Sequence, residues 1–139
     1  YLLNDNPTAM MVYLGAVDET GHSKGFHPSV PEYISAIERV DRQIGEILSA
    51  LEKRKAKKPG EDWLIVLSSD HGGAGRGHGG GHNNPDILNS FLIVSGASAQ
   101  RGKFDKTVYI VDVVPTALSH LGIQSKDDWK IDGTIVGLK

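Results

Sequence analysis

The sequence predicts an α/β fold built around a mostly parallel β-sheet. Three apolar segments of strand length, at residues 9–17, 63–68 and 90–95, alternate with two segments of helical periodicity. Strands that are apolar at almost every position are typical of parallel sheets covered on both faces. The alternation of strands with helices favours a layered α/β architecture. The 139 residues contain no internal repeat, so we expect one domain or one part of a larger domain.

The loops of the predicted fold follow the first two strands. Residues 18–28 are polar and contain glycine, and residues 72–84 consist largely of glycine, histidine and asparagine. A weaker extended segment is expected at residues 103–108, and a short strand is expected near the end of the chain, at residues 134–136.

Two helices are predicted from apolar periodicity and from their end signals. Ser29 followed by Glu32 resembles a capping box, and apolar residues then recur three and four positions apart as far as Leu51. We interpret the basic run at residues 53–58 as the solvated end of this helix. The second helix is expected to begin at Asp112, which resembles an N-cap, and to end near Leu121 before a glycine.

The composition excludes several classes of function. A formal net charge of −2 offers no basis for binding nucleic acid or an anionic membrane. No apolar run has the length of a membrane span, and no basic and apolar leader opens the chain. The chain has no cysteine, so a metal ion would need nitrogen and oxygen ligands.

Aspartate and histidine side chains follow the first two predicted strands. Asp18 and His22 come after the first strand, and Asp70 and His71 come after the second, before a loop that contains further histidines. The carboxyl ends of parallel strands meet at one edge of a sheet, where functional groups collect. Carboxylates and imidazoles without thiols suit zinc, manganese or a similar divalent ion. The sequence therefore predicts a metal site at this edge.

Each of these signals also has a structural interpretation. Asp18 alone is compatible with a loop cap, His22 with an exposed loop histidine, and the glycine-rich loop with a flexible linker. We interpret His27 and His120 as structural residues. The metal prediction depends on the two groups of ligands following strands of the same sheet, because neither group is persuasive alone.

Several motifs, in order, resemble the type I phosphodiesterase/nucleotide pyrophosphatase family of the alkaline phosphatase superfamily. The resemblance runs from about residue 12 to residue 133. It is carried by Asp18-x-x-Gly21-His22-x-x-Gly25, Val40-Asp41-x-x-Ile44-Gly45, Ser69-Asp70-His71-Gly72-Gly73, Gly77-His78-Gly79-Gly80, Asp112-Val113-Val114-Pro115-Thr116 and Asp132-Gly133.

The resemblance implies a fold and a set of metal ligands. The fold is an alkaline-phosphatase-like α/β/α sandwich with a mostly parallel sheet, and the site holds two divalent ions, usually zinc, with manganese also compatible. Asp18, His22 and His78 are then expected to bind one ion, and Asp70 and His71 to bind the other. His78 is preferred because it lies in the Gly-His-Gly-Gly context, although His82 stays open as an alternative.

The resemblance also implies that part of the catalytic machinery is not in this chain. The family completes one metal site with an aspartate from an upstream strand and uses an upstream threonine or serine as nucleophile. Thr8, Thr20 and Ser23 lack that setting, so no catalytic residue is assigned. We therefore interpret residues 1–139 as the C-terminal, metal-binding part of a single catalytic domain, and we expect this part to be inactive by itself.

The expected function is that of a phosphoester or pyrophosphate hydrolase acting on a small-molecule or nucleotide substrate. A sulfatase, a phosphoglycerate-mutase-like enzyme of the same superfamily and a non-catalytic metal-binding domain are alternatives. The resemblance favours a periplasmic or secreted location. A half-sheet would also expose an edge, through which we expect homodimers to form.

Overall fold

The computed structural model describes residues 1–139 and divides them into two compact units. The first unit contains residues 1–61 and 73–87, and the second contains residues 62–72 and 88–139. The elements are α1 (Ala16–Lys24), α2 (Pro31–Lys57), β1 (Ile65–Ser68), α3 (Pro85–Leu88), β2 (Leu92–Ser95) and α4 (Val113–His120), with short 3-10 helices at Gly81–Asn83, Ile110–Asp112 and Asp127–Trp129. None of the helices combines the length and the apolar character of a membrane span.

The predicted long helix is confirmed as α2, which packs against α1 in the first unit. Pro31 occupies its first turn, where the missing amide hydrogen costs nothing. The predicted capping box is wrong, because the N-cap is Val30 and no side chain caps the helix. Ser29 instead forms hydrogen bonds with His27, so its hydroxyl serves the preceding turn.

The end of α2 differs from the predicted solvated basic run, because Arg54 is buried. Its guanidinium makes five hydrogen bonds within the first unit. Two go to the carboxylate of Glu61, two to the carbonyls of Leu2 and Asp5, and one to the side chain of Asn6. A planar group with five donors can join several chain segments at once, so Arg54 ties the start of the chain to the end of α2.

The predicted strand at residues 9–17 is wrong, and so is part of the loop predicted at residues 18–28. Residues 9–14 form no regular structure, and α1 begins at Ala16. A strand needs a neighbouring strand for its backbone hydrogen bonds, and β1 pairs only with β2. The apolar side chains of this segment are correspondingly exposed, with Met11 at 93% and Tyr13 at 78%.

The two paired strands confirm the predicted segments at residues 63–68 and 90–95, but they are antiparallel. Ile65 pairs with Ser95 and Ser68 pairs with Leu92. A parallel pair needs a long crossover, usually a helix, and the chain between β1 and β2 contains only α3 and one 3-10 helix. Helices and a small sheet are consistent with the α/β class, and the parallel sandwich stays an expectation.

The C-terminal part of the second unit is organised around Asp112. The carboxylate accepts hydrogen bonds from the amides of Tyr109 and Thr134, at 2.8 and 2.7 Å, and from the hydroxyl of Thr134. The residue is the N-cap of α4, as predicted, but its side chain caps the preceding 3-10 helix and anchors the tail.

The remaining extended segments of the second unit differ from the prediction. Neither residues 103–108 nor residues 134–136 form a strand. The tail is held instead by side-chain bonds, since the buried Thr116 hydroxyl accepts from the Val136 amide at 3.0 Å. A single bridge between Ala99 and Leu138 adds the only strand-like pairing of the tail.

Replacing Asp112 with alanine is expected to lower the free energy of unfolding by about 2 kcal/mol or more, because two amides lose their acceptor. Urea denaturation followed by circular dichroism measures the change. Asp105→Ala, which removes an exposed carboxylate from the same unit, is the control. Equal stability of the two variants would contradict the anchoring role of Asp112.

The same carboxylate predicts a pH dependence. Burial raises the pKa of Asp112, but the amides of Thr134 and Tyr109, the Thr134 hydroxyl and the charge of Lys106 outweigh burial and leave the pKa lowered. The stabilisation is therefore complete above the pKa of an unfolded aspartate, about 3.9, and is lost as the pH falls through the lower folded value. The difference in stability between the chain and Asp112→Ala should shrink over that acidic range.

Candidate metal centre

Asp18 and His22 lie on one face of α1, a nine-residue helix. Positions four apart are neighbours on a helix surface, and His22 Nε2 lies 3.5 Å from Asp18 Oδ1. Asp18 is in the first turn and His22 in the last, which suits the helix dipole. The helix ends at Gly25, whose φ of 124° is accessible mainly to glycine. The two residues predicted to lie in a loop are therefore held by a helix.

The glycine-rich segment after residue 72 contains a tight turn rather than a flexible linker. Ala74 and Gly77 exchange both backbone hydrogen bonds, at 2.9 and 3.1 Å, across the two residues Gly75 and Arg76. The positive φ of 61° at Gly75 is a conformation that such two-residue turns require. The turn is therefore an ordered element of the first unit.

Two consecutive carbonyls of this turn contact the end of α1. The carbonyl of Gly75 accepts from the Phe26 amide at 2.8 Å, and the carbonyl of Arg76 lies 3.1 Å from His22 Nδ1. A carbonyl can only accept, so His22 Nδ1 must carry the hydrogen. The lone pair of the neutral ring is then on Nε2, the nitrogen that faces Asp18.

His78 completes a group of three potential ligands in the first unit. Its ring centroid lies 4.9 Å from that of His22, with the planes inclined by 73°. One ligand atom of His78 and one of Asp18 lie within 4.8 Å of each other. Asp18, His22 and His78 were predicted to bind the same ion, and the structure brings these three together.

The chemistry of this group fits a divalent cation. The Asp18 Oδ1 atom is buried and has no hydrogen-bond partner, although a buried anionic oxygen normally has one. Metal-binding histidines commonly donate their second ring nitrogen to a carbonyl, as His22 does to Arg76. Asp18 Oδ1 thus has lone pairs but receives no hydrogen bond, and the neighbouring His22 ring directs its own lone pair towards it. A bound cation would accept both lone pairs and so compensate the burial of this oxygen.

Asp70 and His71 lie in the second unit, just beyond the end of β1. His71 Nδ1 donates to the Gly72 carbonyl at 2.8 Å, which again leaves the lone pair on Nε2. His71 Nε2 lies 3.7 Å from Asp70 Oδ2, and the His71 amide donates to Asp70 Oδ1 at 3.2 Å. The pair therefore offers an oxygen and a nitrogen ligand at the strand end, where the sequence predicted them.

The other histidines have different surroundings. His27 Nδ1 accepts the Ser29 amide at 3.1 Å, so this ring uses its lone pair on the backbone. His120 Nε2 lies 3.0 Å from the Asp62 carbonyl and donates to it. Both arrangements agree with the structural interpretation of these two residues. His82 is exposed on the 3-10 helix Gly81–Asn83.

Two aromatic residues beside the group were not predicted as part of it. Phe26 packs edge to face on His22, with centroids 5.4 Å apart, and on Tyr33, with centroids 5.7 Å apart. Burial raises the pKa of Tyr33, and the negative charge of Asp18 raises it further. Tyr33 has the apolar helix periodicity that predicts core packing, so its relation to Asp18 has no sequence signal. The only sequence signal that Phe26 belongs to the surroundings of this group is its position directly after Gly25, the last residue of the motif that contains His22.

Aspartate and histidine ligands without thiols define a class of nitrogen- and oxygen-liganded metalloproteins. A comparison with known protein families identifies the chain independently of this ligand chemistry. Residues 2–128 match the type I phosphodiesterase / nucleotide pyrophosphatase family, to which the chain belongs. The resemblance of the sequence motifs to this family is therefore confirmed over most of the sequence.

The chain is similar to curated proteins that handle phosphoesters. It is 27% identical to GPI ethanolamine phosphate transferase 1 of Schizosaccharomyces pombe, over 99% of this chain and 14% of that protein. It is 39% identical to an uncharacterized pyrophosphatase/phosphodiesterase of the same yeast, over 49% of this chain and 13% of that protein. It is 28% identical to a phosphopentomutase of Methylobacterium, over 81% of this chain and 25% of that protein.

The chain spans a quarter or less of the length of each of these relatives. No solved structure matches it significantly. The names of the family and of the relatives are those of hydrolytic or phosphoryl-transfer enzymes, which agrees with the coarse functional prediction of a phosphoester-handling enzyme.

Replacing Asp18 with asparagine is expected to lower the pKa of Tyr33 part of the way towards the ordinary phenol value, about 10. The substitution removes the negative charge but leaves burial in place. The phenolate absorbance of Tyr33 is obtained by subtracting the titration of Tyr33→Phe in each background. Glu19→Gln, which neutralises the next residue of α1, is the control. An unchanged Tyr33 titration in Asp18→Asn would refute the expected proximity.

Proposed function

We propose that this chain supplies metal ligands to an enzyme that cleaves or transfers phosphoester groups with the help of divalent metal ions. The proposal is carried by three distances in the first unit. His22 Nε2 lies 3.5 Å from Asp18 Oδ1, the rings of His22 and His78 have centroids 4.9 Å apart, and Asp18 and His78 offer ligand atoms within 4.8 Å of each other. The buried Asp18 Oδ1, which has no hydrogen-bond partner, supports a bound cation. The nearby Nε2 of His22 carries no hydrogen in the neutral ring, because the hydrogen is on Nδ1, and so it cannot donate to this oxygen. The family supports phosphoesters as the substrate class.

We assign the ligands to two ions, most suitably zinc. Asp18, His22 and His78 bind one ion, and Asp70 and His71 contribute ligands to another. The contact between His78 and His22 supports His78 rather than His82 as the third ligand. When bound, such ions stabilise negative charge on phosphoryl oxygens as Lewis acids.

The residues of this chain have binding and orienting roles in the proposed reaction. The backbone carbonyl of Arg76 accepts a hydrogen bond from His22 Nδ1, and that of Gly72 accepts one from His71 Nδ1. Both imidazoles therefore keep their Nε2 lone pairs for a cation. The hydroxyls of Thr20 and Ser23 donate to backbone carbonyls of α1. Neither hydroxyl is assigned as the nucleophile, and no other residue of the chain is.

The activity belongs to a catalytic domain longer than this chain, as the coverage of the relatives supports. The main reaction that we propose is hydrolysis of a small phosphoester or of the pyrophosphate link of a nucleotide. Transfer to an alcohol is a second candidate, because the match to GPI ethanolamine phosphate transferase 1 extends over 99% of the chain. The two reactions share the same leaving-group chemistry and differ in the acceptor, water or a hydroxyl.

Zinc is expected to bind the chain with an affinity tighter than high micromolar, measured by isothermal titration calorimetry. Asp18→Ala, His22→Ala and His78→Ala should each weaken the first site at least about tenfold, since even outer-shell changes cost about 10–100-fold in metal affinity. The expected effect follows from the loss of one of three ligands.

His82→Ala is the matched control for this titration, because it removes a histidine from the same glycine-rich segment. Its affinity should equal that of the unaltered chain. Equal losses in His78→Ala and His82→Ala would indicate nonspecific binding by the segment. No binding tighter than high micromolar would count decisively against the metal centre.

The whole protein is expected to release p-nitrophenol from bis(p-nitrophenyl) phosphate or from the nucleotide ester p-nitrophenyl thymidine 5′-phosphate, and to lose this activity with a chelator. Adding methanol separates the two candidate reactions, because a transferase would form the methyl ester in place of part of the hydrolysis product. Activity that persists after the chelator, and in His22→Ala, would contradict both candidates.

A further inference from the structure

Phe26 occupies a slot between two glycines that belong to different parts of the first unit. Gly21 is in α1, immediately before His22, and Gly73 is at the start of the glycine-rich segment. A β-carbon on either glycine would overlap the same edge of the Phe26 ring, which includes Cδ1 and Cε1. The backbone of both segments thus lies directly against the ring, so any larger residue at either position would displace it.

Phe26 makes three further contacts within the first unit. The ring packs on His22 and on Tyr33, and the Phe26 amide donates to the Gly75 carbonyl. Residue 26 therefore contacts α1, α2 and the turn at residues 74–77 at the same time. Phe26 is not itself one of the candidate ligands Asp18, His22 and His78, but it packs on one of them, His22.

We propose that Phe26 is a positioning residue for the candidate metal centre, an inference that rests on the proposed function. Its ring sets the distance between α1 and the turn at residues 74–77. That distance determines whether His22 Nδ1 reaches the Arg76 carbonyl, which lies 3.1 Å away. Phe26 acts through His22 and touches no substrate.

A smaller side chain at residue 26 leaves all the metal-ligating side chains in the sequence and removes the ring that separates α1 from the turn. The turn and α1 can then move relative to each other by a fraction of the ring width, and the Nδ1 contact lengthens. Without the carbonyl, a neutral imidazole exchanges between its two tautomers, so part of the population has the hydrogen on the metal-facing nitrogen. The effect on the metal is then a loss of affinity without a loss of ligands.

The test uses Phe26→Leu, which keeps an apolar side chain but removes the ring. Two readouts are taken on the 139-residue chain. One is the tautomer of His22, from long-range nitrogen–proton NMR correlations in the absence of metal and at a pH where the ring is neutral. The other is the zinc affinity by calorimetry. We expect a mixture of His22 tautomers and an affinity reduced about 10-fold or more, the range for outer-shell residues.

Phe91→Leu is the matched control, since Phe91 is 50% exposed and lies in the other unit. It should leave both readouts unchanged. Gly73→Ala provides a second variant, which disturbs the slot from the glycine-rich segment and should reproduce both changes. Because the two substitutions act on one contact, their combined effect in the double variant should be smaller than the sum.

The outcomes separate this inference from the proposed function. If the unaltered chain binds no zinc, the proposed function fails, and the tautomer measurement still tests Phe26. An unchanged His22 tautomer and zinc affinity in folded Phe26→Leu would overturn the inference. If both slot variants unfold, the test is made on the unaltered chain. Nuclear Overhauser contacts from the Phe26 ring to the α-protons of Gly21 and Gly73 must then be present. Their absence would also overturn the inference.

Discussion

Two consecutive backbone carbonyls, those of Gly75 and Arg76, determine how the candidate metal centre is built. One holds the Phe26 amide and the other selects the hydrogen position on the His22 ring. Every residue has a carbonyl, so these contacts depend on the conformation of the turn and not on which side chain it carries. The glycine at the turn is the exception, because its positive φ lets both carbonyls face α1. The backbone of a short turn thus orients the imidazole of a candidate metal ligand.

Much of the local structure could be predicted because it depends on local pattern. The apolar period of α2 and the apolar runs at β1 and β2 are visible in a few consecutive residues, and they form where expected. Asp18 and His22 were predicted to share a site, and they do lie together, but for a different reason. The prediction placed them after a strand, whereas the helix α1 brings residues four apart onto one face.

The failures involve contacts between residues far apart in sequence. Residues 9–17 have the composition of a buried strand, but a strand exists only if another strand accepts its hydrogen bonds, and none does. Asp112 resembles an ordinary helix cap, and nothing local indicates that it holds the amide of Thr134. The slot around Phe26 is of the same kind, since Gly21 and Gly73 are separated by most of the first unit and meet only in the folded chain.

The buried guanidinium of Arg54 has a consequence for which replacements the chain can tolerate. All five of its N–H donors are used, in directions set by a rigid planar group. Lysine has the same charge but concentrates three donors on one flexible atom, so it cannot reach the same partners. Among related sequences, variation between arginine and lysine should therefore be common at the exposed neighbours Lys53 and Lys55 and rare at position 54. One basic residue in an apparently uniform run is in this respect irreplaceable.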